Sequence, residues 1–179
     1  VSGRIFWDGD DITAMLPGER PLSILFQDQN LFPHLNVRQN LGLGLSPNLR
    51  LTKGEDEAIE AVMERVGLSG MGDRRPAALS GGQASRVALA RALLRKRPVV
   101  LLDEPFAALG PALKEVMLAL VINTLSDALV LMVTHDPRDA RAAPRVLTVL
   151  DAAVRGPFDT ASLLADPPPE LRDYLGSRS

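Results

Sequence analysis

Two short runs in which every residue is apolar, 99–102 and 129–133, lie either side of a stretch from Pro111 to about Leu125 whose apolar residues recur at helical spacing. Unbroken apolar runs of this length predict parallel-sheet strands buried on both faces, and strand, helix, strand in this rhythm predicts crossover connections. Upstream, Val87, Ala90, Leu93 and Leu94 form an apolar stripe with Arg86, Arg91 and Arg95 interspersed. That pattern predicts a helix capped by Ser80 and stopped at Pro98. Another helix is predicted from Thr52, because Thr52 and Glu55 make an S/T-x-x-E capping box and Ala58, Ile59, Val62, Met63 and Val66 return at helical spacing. Gly67 marks its end. Arg4-Ile5-Phe6-Trp7 followed by Asp8-Gly9 reads as a strand entering a tight turn, and residues 22–26 read as a second strand ending at Gln27. Val146 to Leu150, with Val154, supplies the last strands, and Pro167-Pro168-Pro169 predicts a weakly packed tail.

These elements predict an α/β fold: a parallel sheet with helices on both faces, plus a smaller lobe that holds the helical material between Gln27 and Leu79. At 179 residues and 46% hydrophobic, the chain can bury one substantial core. A formal charge of −2 gives no electrostatic reason to propose a nucleic-acid partner. Cysteine is absent, which is compatible with a reducing compartment without establishing one. No basic-then-apolar signal opens the sequence. The longest apolar stretches, around 116–125 and 128–133, fall short of the ~20 residues a bilayer span needs, so association with a membrane would run through a partner.

The chemistry concentrates in two places. Leu79 is followed by Ser80-Gly81-Gly82-Gln83, a small-residue turn opening a helix, which can present backbone N–H groups to an anion. Asp103-Glu104 closes the apolar run 99–102, and two acids at the end of a buried strand can handle metal and water. In this order and spacing the pair resembles the signature and Walker B motifs of ATP-binding cassette (ABC) ATPases, whose fold is a P-loop NTPase-like sheet with a helical subdomain. The resemblance covers essentially the whole chain. It implies one cassette domain over 1–179, with 28–98 containing the helical and signature portion and 99–165 the core sheet and switch region.

Carried over residue by residue, the resemblance implies that Asp103 holds Mg²⁺ through its water shell and that Glu104 polarises the attacking water. Gln27, in Leu25-Phe26-Gln27-Asp28-Gln29-Asn30-Leu31-Phe32-Pro33-His34-Leu35, resembles the glutamine that contacts metal or water. The segment after it is expected to touch a membrane subunit through Phe32, Pro33 and Leu35. His135, in Met132-Val133-Thr134-His135-Asp136, resembles the switch histidine that reaches the γ-phosphate, whereas His34 reads as structural. Ser80, Gly81, Gly82 and Gln83 are implied to contact ATP held by a second subunit in a head-to-tail homodimer. The remaining implied partners are two transmembrane permease subunits and, indirectly, an extracytoplasmic solute-binding protein, with the ATPase peripheral on the cytoplasmic face of the inner membrane.

The sequence departs from the family pattern in two respects. No Gly-x-x-x-x-Gly-Lys-[Ser/Thr] loop occurs in it, and Gly42 and Gly44 have no lysine after them. The simplest expectation is an N-terminal truncation, with residues 1–10 reading as the strand and turn after the phosphate-loop helix; a naturally reduced cassette acting as a non-catalytic binding or regulatory module is the alternative. Gly110 follows Ala107-Ala108-Leu109 where the family carries Asp, which puts coupling between two sites in doubt, and Ala84-Ser85 replaces longer polar residues. A DNA-repair ATPase with the same signature would insert long coiled coils, and none is present. The loops from Arg20 to Pro47 look most like those of bacterial thiamine importers. An ATPase subunit does not touch the cargo, so iron, sulfate, molybdate and polyamine importers stay open.

Overall fold

The computed structural model describes residues 3–176, and the chain divides into two compact units, the first ending at Val133 and the second beginning at Thr134. In the first unit, β1 (Phe6–Trp7) and β2 (Asp10–Asp11) form an antiparallel pair around Asp8 and Gly9, whose φ values of 49° and 88° are those of the tight turn that Asp-Gly predicts. Val1 and Ser2, which belong to the same expected strand, lie outside the described residues. Next come β3 (Leu22–Leu25), α1 (Val37–Gly42), α2 (Lys53–Arg65), a 3₁₀ turn at Pro76–Ala78, α3 (Gly81–Leu94), β4 (Val99–Asp103), α4 (Pro111–Thr124) and β5 (Leu129–Val133). Strands β3, β4 and β5 form one parallel sheet in that order, with Ile24, Leu101 and Leu131 level with one another.

Two caps place α2 and α3 as the sequence predicts. Thr52 accepts from the Glu55 N–H while the Glu55 carboxylate accepts from the Thr52 N–H, and Ser80 and Gln83 repeat the arrangement at α3. At the other end of α2, Gly67 takes φ +66°, which lets Leu68 N–H reach the Met63 carbonyl and Gly67 N–H the Glu64 carbonyl, closing a Schellman motif. Arg86 of α3 covers the carbonyls that remain, donating to Val66 O at 2.8 Å and Gly67 O at 2.9 Å, so the C-terminus of α2 is sealed by α3. The core runs from this helical lobe into the sheet: Leu41, Ile59, Met63, Leu89, Val100, Leu102 and Phe106 are all buried in one contiguous cluster.

One expectation is corrected. The strand at 99–103 is not buried on both faces: Val100 and Leu102 are buried, but their neighbours are half-exposed, and on β5 Leu129, Leu131 and Val133 are exposed. The apolar runs are therefore longer than the packing of this face requires. A six-residue helix, α1, occupies a segment that the apolar period does not reveal. Its signal is local: Asn36 and Gln39 form a third capping box. A final helix, Pro169–Gly176, begins at the last residue of the proline run, where the sequence predicts only a weakly packed tail.

The second unit contains α5 (Pro137–Ala140), the antiparallel pair β6 (Arg145–Leu150) and β7 (Ala153–Asp159), α6 (Thr160–Ala165) and α7 (Pro169–Gly176). Asp151 and Ala152, both at positive φ, make the β6–β7 turn.

Candidate functional site

Strand β4 is the middle strand of the sheet and delivers both acids to its C-terminal end, the edge where open α/β sheets place ligands. Asp103 is still in the ladder, level with Val133, and is half-buried. Glu104 has left it. Its φ is +44°, a left-handed conformation that costs a non-glycine residue about 1–2 kcal/mol, and its N–H is held by Val133 O at 3.0 Å. That twist separates two adjacent carboxylates in direction, and backbone strain of this kind collects where function over-determines geometry.

Glu104 lines a cleft of about 250 Å³ with Gln27, Gln29, Ser85 and the Pro105–Ala108 turn. The structure thus brings together two of the sequence-derived residues, Gln27 and Glu104, from opposite ends of the unit's sequence. Gln27 is exposed, just past the end of β3. Two residues missed by the sequence reading share the cleft. Ser85, nearly fully buried on the first turns of α3, accepts a hydrogen bond from Gln29 Nε2 at 2.8 Å. No spacing signal could have found this pair, because it joins loop to helix across the fold.

Ser80, Gly81, Gly82 and Gln83 form the N-terminal turn of α3. The capping box uses the side chains of Ser80 and Gln83, with Ser80 N–H donating to Gln83 Oε1 at 2.9 Å. The cap therefore uses both the Gln83 backbone N–H and its side-chain oxygen. The first intrahelical bond is Ala84 N–H to Ser80 O, so the Gly81 and Gly82 N–H groups sit at the helix positions that lack an intrahelical acceptor. Gly82 is closely approached: a Cβ there would lie 3.3 Å from a Leu109 methyl and 3.4 Å from Ala108 O. The turn at 107–110 thus packs directly under the glycine turn. Gly110 caps α4 with no side-chain hydrogen bond.

The loop leading out of the cleft is held from a third element. Asn40 of α1, wholly buried, accepts from Phe32 N–H at 2.8 Å and donates through Nδ2 to the carbonyls of Phe32, Leu35 and Asn36. Phe32 and Pro33 remain exposed and Leu35 half-exposed, while His34 is exposed with its ring edge-on to Phe32. His135 falls in the second unit, two residues past β5. There Thr134 donates to the buried carboxylate of Asp139 at 2.7 Å and accepts from Asp136 N–H at 3.0 Å, which fixes the turn that carries the histidine.

Gly42 and Gly44, the only closely spaced glycines ahead of α2, prove to be packing residues. A Cβ on Gly44 would meet Arg91 O at 2.7 Å, so this glycine lets the end of α1 touch the α3 backbone.

A parallel sheet whose central strand ends in two acids, beside a capped, glycine-led helix, is an α/β architecture of the kind that places its ligand at the carboxyl ends of the strands. The sequence profile of the ABC transporter family matches residues 1–107, and the chain belongs to that family. Among curated relatives it is 61% identical to the thiamine import ATP-binding protein ThiQ of Cereibacter sphaeroides, aligning 98% of this chain with 78% of that protein. It is 53% identical to the protein of that name from Ruegeria sp., with the same coverage, and 48% identical to that of Chelativorans sp., where 99% of this chain aligns with 74% of the relative. Among solved structures it resembles the dimeric, post-hydrolysis state of the ATP-binding cassette MJ0796 bound to ADP and Pi. The TM-score is 0.78 at 27% identity, over 89% of this chain and 74% of that one.

Proposed function

We propose that the chain is the ATP-binding and hydrolysing subunit of an ABC importer that energises thiamine uptake. Support for the reaction comes from one observation above others: Gln27 and a strained Glu104 line the same cleft at the C-terminal edge of the sheet. Support for thiamine comes from the relatives, whose names specify thiamine import.

In this reading Glu104 accepts hydrogen bonds from the attacking water and orients it, and Gln27, which lines the same cleft, holds that water or a metal ligand. Among the described residues no group of three or more His, Cys, Asp or Glu side chains is placed to hold a metal unaided. A half-buried Asp103 at the strand end is a hard oxygen donor of the kind Mg²⁺ takes, and the ion, when bound, would supply charge neutralisation to the phosphates. His135 is assigned the γ-phosphate contact.

The α3 N-terminus offers two unaccepted N–H groups and a positive dipole end, suited to the terminal phosphate of ATP on a second copy. A head-to-tail homodimer under two membrane subunits uses both features, and the dimeric state of MJ0796 is consistent with it. Phe32 and Pro33 are the surface offered to the membrane subunits. No helix among the described residues is long and apolar enough to cross a bilayer; in this reading the chain is held at the inner membrane's cytoplasmic face by those subunits. Gly110 favours the second reading, a non-catalytic module, because it removes a carboxylate from the turn under the signature.

The test is ATP turnover by the full-length protein with its membrane subunits. Thiamine-stimulated hydrolysis, lost by at least about a hundredfold in Glu104→Gln, is the expected result. Turnover unaffected by Glu104→Gln removes the residue from this role, and the absence of turnover in the wild-type complex favours the non-catalytic reading.

A further inference from the structure

The loop that carries Gln27 is strained, and side chains tie it to α3. Gln29 and Asn30 both have positive φ, 65° and 44°, a left-handed conformation that costs non-glycine residues energy and that bonds from outside the loop can hold. The bonds are supplied by Arg91, whose Nη2 donates to Gln29 O at 3.2 Å and to Asn30 O at 2.9 Å, the carbonyls of those same two residues. The guanidinium also lies 5.8 Å from the centre of the Phe32 ring, at the exposed end of the loop. From these contacts we propose that Arg91 is a positioning residue, which fixes Gln27 relative to α3 and transmits displacement of Phe32 to the signature helix.

Four observations support this beyond a general packing role. Arg91 is partly buried, and burial, reinforced by Arg95, holds its pKa below the usual guanidinium range. Its Nη1 is buried without a hydrogen-bond partner. A cation placed so unfavourably is retained for the bonds its other nitrogen makes. The Gln29–Ser85 hydrogen bond repeats the same link, from loop to α3, at the other end of the strained pair. Asn40 clamps both backbone groups of Phe32, so movement of that ring passes into the loop backbone rather than being lost in rotation of the segment. Lysine cannot replace this arrangement, since it has no planar fork to lie over the ring while serving two carbonyls.

The kinetic part of the test rests on the ATPase reading; the structural part does not. In a full-length protein whose cysteines outside this cysteine-free sequence are replaced by serine, a nitroxide attached through Asp28→Cys, with a control at Glu57→Cys on α2, reports loop mobility. Arg91→Lys should add a mobile component at position 28 and leave position 57 unchanged. It should lower kcat about tenfold with KM within about twofold, the pattern of lost positioning rather than lost binding. Asn30→Gly, which adopts positive φ without strain, should return part of both losses in the Arg91→Lys background. Ser85→Ala, a mild deletion, should loosen position 28 in the same sense and serves if the lysine variant does not fold. Wild-type spectra at position 28 in Arg91→Lys, or in Ser85→Ala where that variant is used, overturn the proposal. A loosened loop with unchanged kcat overturns the link to Gln27. Were the wild-type protein to hydrolyse no ATP, the functional reading would fail while the spectra still decided the role of Arg91.

Discussion

Helices α3 and α4 are the same length, 14 residues each, and α4 is the more uniformly apolar, yet the fold uses them oppositely. Eight residues of α3 are buried, and its arginines are spent on carbonyls of other elements: Arg86 on the end of α2, Arg91 on the loop after Gln27. In α4 only Met117 and Val121 are buried, and Val116 and Ile122 face outward at 57% and 49% exposure. The N-terminus of α3 is closed by a reciprocal Ser–Gln box, whereas that of α4 rests on a glycine with no side-chain bond. Apolar content therefore did not decide which helix became the organising one. Contacts with three other elements did, and they place the glycine turn and the cleft on the same rigid body.

The difference is sharpest in the core. Leu89→Ala in α3 should cost about 2–5 kcal/mol, whereas Ile122→Ala in α4 should stay within about 0.5 kcal/mol; chemical denaturation of the two variants measures the gap, and equal losses would erase the asymmetry. Gly44→Ala, which forces a methyl against the Arg91 carbonyl, should cost about 1–3 kcal/mol and loosen α1 from α3. Thermal unfolding unchanged by this substitution would show that the close approach is not needed. The caps come next. Ser80→Ala should lose about 1 kcal/mol, and Gly110→Asp, at a position with φ −69° and open space around its Cβ, should gain a few tenths.

The smallest effect is in acid. The cap of α2 depends on a carboxylate, and hydrogen bonds from the Thr52 backbone and side chain hold Glu55 below its ordinary pKa. A depressed folded pKa means stabilisation that is fully present above the unfolded value and lost as pH falls through the folded one. The α3 cap, built from a hydroxyl and an amide, does not titrate. Protection of the Thr52 amide against hydrogen exchange, which donates to that carboxylate, should therefore fall as acid protonates Glu55, while that of Ser80, which donates to the Gln83 amide oxygen, holds; parallel loss at both would show a common cause.

Much of this was legible in the sequence. Thr52-x-x-Glu55, Gly67, Ser80 and Asp8-Gly9 each act through neighbours two to five places away, and all four appear as read. The parallel sheet followed from the apolar runs, because only strands crossed over by helices need them. The open face of that sheet was not legible, since an apolar run states what a strand tolerates rather than what covers it. Helix α1 was too short to show a period, although Asn36-x-x-Gln39 announces its cap. Ser85, Asn40 and Arg91 were beyond reach for a different reason. Their partners Gln29 and Phe32 lie far away in sequence or in irregular backbone, and the contacts exist only once α1 and α3 have packed.

Two full-length variants, each defective in one half of the nucleotide site, test the central claim that one copy lends its glycine turn to the acids of another. Gly82→Asp spoils the turn and leaves Glu104 intact, whereas Glu104→Gln does the reverse. Mixed in equal amounts, exchanging homodimers would form one sound composite site in every mixed dimer, so turnover should recover to about a quarter of wild type although neither variant is active alone. A mixture as inactive as its parents, alongside an active wild-type protein, would contradict the account.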